Sequence, residues 1–259
     1  MTPSPARALA LASSALALGA LLGTASCSAL STPPTAEKPD FAPTTTTPTA
    51  SPGGAPALTQ AQAQAALVTA ADLGEPWAPT QGVATWHDGL LKATAQQPDC
   101  RRLVDTLYAE DLFGANTRAR AVIGLDDVWN GSQLRYQVVT QSPADVNRTL
   151  AWLKTLPERC AEFTVTTDGG TVQDVQVTDA GLPEVGDARQ GLRITLSGAT
   201  LNDEPVLLTL DVAVVRVGDD AIGLTHGGLG DVSPDVTQAA VQLGAQRLAD
   251  VRKRGRAQI

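Results

Sequence analysis

Histidine occurs only twice in the 259 residues, at His87 and His226, and cysteine three times, at Cys27, Cys100 and Cys160. This scarcity removes most catalytic and metal chemistry. A nucleophilic triad needs a histidine beside a hydroxyl or thiol, and neither histidine stands in a Gly-x-Ser-x-Gly or His-Glu-x-x-His pattern. A phosphate-loop signature is also missing, and a zinc site would need clustered thiolates and imidazoles. No catalytic residue, metal or cofactor is therefore expected. Aromatic residues are 3% of the chain, so a core must be built from Leu, Val, Ile and Ala. Positive charge is in deficit, with a formal net charge of -8, and a nucleic-acid partner, which wants a basic face, is not expected. The short basic run Arg252, Lys253, Arg254 and Arg256 reads as a solvated helix end complementing the helix dipole. Long apolar runs are absent too: Ala8–Leu22 spans roughly 15 residues, signal-peptide length but too short for a bilayer.

What is present begins with that leader. Arg7 precedes the apolar run, and Leu22-Gly23-Thr24-Ala25-Ser26-Cys27 follows it. This resembles the lipobox of bacterial lipoproteins, in which the cysteine takes a diacylglyceryl group and becomes the mature amino terminus. Ala25 and Ser26 fit that pattern, and Thr24 stands where Leu is usual. The alternative is an ordinary secretory signal cleaved near Ala25. Residues 1–26 are thus expected to be a lipoprotein signal peptide, with Cys27 lipidated and the protein held on the extracytoplasmic face of the cell membrane. Residues 27–57, rich in Thr, Pro, Ser and Ala, cannot bury enough apolar surface to offset their ordering entropy and read as a disordered tether.

Residues 58–259 then carry enough apolar sequence for one domain. The stretch Ser142–Cys160 is its clearest element. Ser142 suits a helix cap, Pro143 the first helical position and Asp145 the positive helix end. Val146, Leu150, Leu153 and Leu156 form one apolar stripe, and Pro157 is expected to end the helix. Cys100, on an expected helix from Pro98 to Tyr108, is the other cysteine of the domain, and a Cys100–Cys160 disulfide is expected. An early helix reaches from Leu58 to about Val68, with a short turn from Thr69 that Gly74 ends; residues 78–97 give no clear period. Alternation marks strands at Thr117–Leu125 and Gln133–Thr140, and five more follow Cys160. In Val206–Val217, Leu208, Leu210, Val212 and Val214 are in phase. Ser233-Pro234-Asp235 opens a last helix running to about Arg252. Short turns imply antiparallel pairing, so the expected fold is α+β: a twisted antiparallel sheet of about six or seven strands flanked by helices in two layers.

Asp99-Cys100 with Leu103 and Tyr108, the helix opening at Ser142–Asp145 directly after the strand Tyr136-Gln137-Val138-Val139, and the closing Cys160 together resemble a known family. It is that of the extracellular sensor domains of PknH-type mycobacterial serine/threonine kinases and the related actinobacterial sensor-domain lipoproteins. The resemblance covers about residues 58–253. It implies a twisted sheet with flanking helices and a cleft that receives a ligand. It also implies a second disulfide for which this chain has no cysteines, so looser or rearranged later strands are expected.

The remaining candidates are side chains that suit a cleft. Trp86, His87 and Trp129 offer apolar area with a polar tip. His226, in phase with Ile222 and Leu224, reads as a part-buried structural histidine, although His226-Gly227-Gly228 has the look of an esterase oxyanion loop. Gly227, Gly228 and Gly230 are expected to make a flexible connection, and Asp126-Asp127 and Asp219-Asp220 to be turn residues. The reading is a non-catalytic envelope lipoprotein that binds a small ligand or an envelope protein, in the manner of a sensor. The alternative is a carrier of an apolar molecule such as a lipid or cell-wall precursor.

Overall fold

The computed structural model describes residues 57–257, apart from 115, 116 and 118. Cys27 and the leader lie outside the described residues. Two short helices open the fold, α1 (Gln60–Ala65) and α2 (Ala70–Leu73). Thr59 caps α1 through Gln62, and the Thr69 backbone and hydroxyl both donate to Asp72 at 2.7 Å to cap α2. Strand β1 (Trp77–Pro79), a π-helical turn (His87–Leu91) and strand β2 (Ala93–Ala95) occupy the stretch where sequence shows no period. Helix α3 (Pro98–Tyr108) is followed by β3 (Ala119–Asp127), β4 (Gln133–Thr140) and α4 (Pro143–Arg159). The remainder is β5 (Glu162–Thr167), β6 (Val172–Asp179), β7 (Ala188–Ala199), β8 (Pro205–Val217), β9 (Asp220–Leu229) and α5 (Pro234–Ala257).

The nine strands form one antiparallel sheet in the order β1-β3-β4-β9-β8-β7-β6-β5-β2. This is two more than the pattern predicts, because β1 and β2 are three residues each, too short for alternation to show. They lie at opposite edges of the sheet, so the strap of residues 80–92 between them crosses its whole width. The later strands are not loose: β7 and β8 pair without a break from Ala188↔Arg216 to Ala199↔Pro205.

The layering also departs from expectation. Leu208, Leu210, Val212 and Val214 of β8 join a core with α3 and α4, while Ala213 and Val215 join a second core with α1 and α5. Successive residues point to opposite faces, so a continuous apolar strand signals cover on both sides. The molecule therefore has three layers, helix–sheet–helix, in place of the predicted two. On the first face, Cys100 in α3 and Cys160 after α4 form a disulfide with an S–S distance of 2.06 Å. Helix α4 continues through Pro157 to Arg159, since a proline in the last turn removes only one backbone bond and the Cys160 N–H still reaches Leu156 O at 2.7 Å. On the second face α5 passes so close to the sheet that a Cβ at Gly244 would lie 2.1 Å from the Tyr136 hydroxyl. Glycine is required there by proximity.

Candidate functional site

Two features stand apart from the apolar packing. The first is a polar row across the second face. Asp211 of β8 is directly opposite Arg193 on β7 and His226 on β9. Arg193 grips Asp211 with two bonds, at 2.8 and 3.1 Å, and also donates to Val232 O at 2.9 Å. The Thr237 hydroxyl, in the first turns of α5, donates to Asp211 at 3.0 Å. With that proton committed, Thr237 Oγ1 accepts from His226 Nδ1 at 3.0 Å, which leaves His226 Nε2 facing Ser132 Oγ at 3.4 Å. Burial drives the His226 pKa down to about 4, against the opposing pull of Asp211 and Asp127. The ring is 1% exposed. A serine beside a histidine suggests acyl transfer, but a base this weak, this buried and this far from its hydroxyl is poorly suited to it. The row instead locks the start of α5 to three strands.

The same face corrects two expectations. Asp220 is fully buried and holds Arg252 at the far end of α5, and Thr140 donates to Asp220 at 2.8 Å. Asp219-Asp220 is thus not simply a turn, and the basic run is not wholly solvated. Asp127 does serve a turn. Its carboxylate accepts from Trp129 N at 2.9 Å and from Asn130. Burial would raise its pKa, but these hydrogen bonds bring it below the usual value.

The second feature is a cleft at one end of the sheet, where β3, β9, β7 and β5 finish and β4, β8 and β6 begin. Trp86, in the middle of the strap, is its floor. The indole lies against β9 at Gly227, where a Cβ would come within 2.9 Å of Trp86 Cη2 and 2.3 Å of Leu210 Cδ2. Gly227 and Gly228 are therefore strand residues that admit a ring and Ser132, not a flexible connection. Trp86 separates two open hollows of about 530 Å³ each. One is lined by Val83, Asp126, Val128 and Ser132, the other by Asp88, Asp168, Leu201, Val206 and Leu229, and Thr85 and Trp86 line both. Around this end stand Val83, Val128, Trp129, Val172, Leu201, Leu207 and Leu229, all exposed; among the described residues only one other large hydrophobic, Val122, is exposed. A larger cleft of about 910 Å³ at the opposite end is lined by polar groups such as Gln60, Arg120, Gln141 and Arg148.

The four predicted cleft residues fall differently within this geometry. Trp86 forms the floor. Trp129, 72% exposed on the β3–β4 turn, belongs to the apolar rim. His226 lies behind the cleft, reaching it only through Ser132. His87 turns away, stacked on Tyr108 at 5.0 Å with Nδ1 3.0 Å from Asp88. Sequence reading missed Asp211, Arg193 and Thr237. The signal was a lone carboxylate inside Val206–Val217, since a charge in a buried strand needs a partner.

No family model matches the chain, and no curated protein matches it at the significance required. Among solved structures it is similar to the extracellular domain of PknH from Mycobacterium tuberculosis, with a TM-score of 0.48 and 15% identity, over 77% of this chain and 100% of that one. It is also similar to an uncharacterized protein from Rhizobium leguminosarum, with a TM-score of 0.26 and 9% identity, over 52% of this chain and 97% of that one. Neither likeness transfers a residue role or a ligand.

Proposed function

We propose that the protein is a non-catalytic, extracytoplasmic binding module, anchored by a lipid on Cys27, which engages its ligand or partner at the sheet end around Trp86. One observation carries the reading: among the described residues half of the exposed large hydrophobics, Val83, Val128, Leu201 and Leu229, line this cleft, and a patch of that kind marks an interaction site. The disulfide supports an oxidising compartment. Among the described residues no helix is long and apolar enough to cross a membrane; the anchor is proposed from the lipobox-like Leu22–Cys27. The open form of both hollows favours a binding surface over the alternative of a carrier enclosing a lipid or wall precursor.

A crossed experiment tests anchor and cleft together. Wall fragments, lipids and envelope extracts are screened for a rise in melting temperature. Cys27→Ala should release the protein from the membrane fraction and keep the rise. Leu201→Asp, at a residue 73% exposed, should keep the attachment and cancel the rise. Membrane retention of Cys27→Ala defeats the anchor, and equal stabilisation of Leu201→Asp defeats the cleft. A turnover abolished by His226→Ala with the fold intact would make the protein an enzyme.

A further inference from the structure

We propose that the Trp86 cleft takes an extended, cationic and aliphatic stretch of polypeptide laid across the end of the sheet. This rests on the binding-module reading and names the occupant. Three observations lead to it.

The first is charge. The connections at this end, residues 80–92, 128–132, 168–171, 200–204 and 230–233, hold five carboxylates, Asp88, Asp168, Asp203, Glu204 and Asp231. They hold one lysine or arginine, Lys92, which is paired with Asp168 at 2.9 Å, and Asp231 is paired with Arg193 of β7 at 3.2 Å, so the excess negative charge lies on Asp88, Asp203 and Glu204. Asp88 and Asp168 line the cleft itself. An apolar floor ringed by carboxylates complements a chain that alternates aliphatic and basic side chains, and repels anionic surfaces.

The second is length. The hollows reach from the β3–β4 turn to the β5–β6 turn, whose centres are five strand spacings apart in the sheet order. At about 4.8 Å per spacing that is roughly 24 Å before twist, a span matched by about seven residues of extended chain. A compact small molecule fills one hollow; a linear chain fills both and crosses Trp86.

The third is position. Gln60, at the start of α1, lines the cleft at the opposite end of the sheet together with Thr140 and Ser142. The chain preceding residue 57 therefore joins the domain away from the apolar end. That leaves the Trp86 cleft clear of the point where the preceding chain enters. The acidic rim disfavours an anionic lipid surface.

The test uses the chain from residue 28 onward, without its lipid, and reads tryptophan fluorescence and melting temperature. The probes are a peptide alternating lysine with leucine and valine, its glutamate counterpart, and vesicles of phosphatidylcholine with and without phosphatidylglycerol. The lysine peptide should bind and raise the melting temperature, and its affinity should fall as salt rises. The glutamate peptide should bind at least about tenfold more weakly, equivalent to about 1.4 kcal/mol. The double variant Asp88→Lys with Glu204→Lys should lose the lysine peptide, and both substituted side chains are exposed. If both peptides bind alike, or vesicles bind and the lysine peptide does not, the occupant is wrong although the cleft stands. If no probe binds and Leu201→Asp changes no ligand response in the screen above, the cleft reading falls as well.

Discussion

Beneath α3 and α4 the sheet is buried by side chains such as Leu103, Leu153, Ile194 and Leu210, and the helices are joined to each other through Cys100–Cys160. Beneath α5 the same sheet buries ionised groups: Asp211 with Arg193 near the start of the helix, Asp220 with Arg252 near its end. Arg247, between them, reaches Asp72 and Leu67 O at 2.7 Å or less, and its side chain draws the Asp72 pKa down to about 2. The difference is one of how position is specified. Apolar contact is non-directional, so the register of α3 on α4 depends on the covalent tie and on the more exposed contacts of Asp99 with Arg159 at 2.8 Å and of Arg102 with the Trp152 ring at 4.0 Å. Thr237 reaches Asp211, Arg247 reaches Asp72 and Arg252 reaches Asp220 in only one register of α5. The net stabilisation from buried charge pairs is small against their desolvation, but a misplaced helix would leave Asp220 buried without its guanidinium.

Three perturbations sharpen this contrast. The largest effect is expected on the first face. The Cys100–Cys160 bond closes a loop of 60 residues, for which the chain-entropy model gives about 4 kcal/mol. Cys100→Ala with Cys160→Ala should lower stability by up to that amount in chemical denaturation, and a loss below about 1 kcal/mol would show that packing alone fixes the two helices. Next is Asp211→Ala. Removing one member of a buried pair costs about 3–5 kcal/mol, and the lower end is expected because the Arg193 side chain is 27% exposed and keeps Asp231 at 3.2 Å. A loss no larger than that of an exposed aspartate such as Asp203 would contradict the polar-register account.

The smallest effect is a pH dependence confined to the second face. His226 has a folded pKa of about 4 against 6.5 unfolded, so the unfolded chain binds the proton first. Stability is therefore full above about pH 6.5 and falls as the pH drops toward 4, by at most about 3 kcal/mol. His226→Gln should flatten that part of the profile. The disulfide variant should keep it unchanged, because sites on opposite faces with no shared partner add independently. A profile altered equally by both would mean that the two faces act as one.

Much of this was legible in the sequence. Strand β4 begins and ends where alternation places it, and the stripe of α4 is buried at Val146, Leu150, Leu153 and Leu156. Periodicity reports one buried face well. It failed at β8, where a run apolar in both phases was read for the phase of Leu208 and Leu210 alone, and the second helical layer was lost with it. It also failed at the strap, whose fold is set by what lies under it. Trp86 stood out as a residue type, but nothing local announces that Gly227, more than 100 residues on, clears the space for its ring. The polar row fails for the same reason: Ser132, Arg193, Asp211, His226 and Thr237 meet only once the strand order is known.

The strap has one further consequence, for solubility. An open sheet exposes a ladder of unpaired N–H and C=O groups along each margin, and each is a template for another chain. Here β1 shields part of one margin and β2 part of the other, and both hang from the segment held down by Trp86. Lifting that ring off Gly227 would loosen both shields together. A molecule with two sticky margins on opposite sides has no closed dimer to stop at; it adds copies at each side and grows as a fibre.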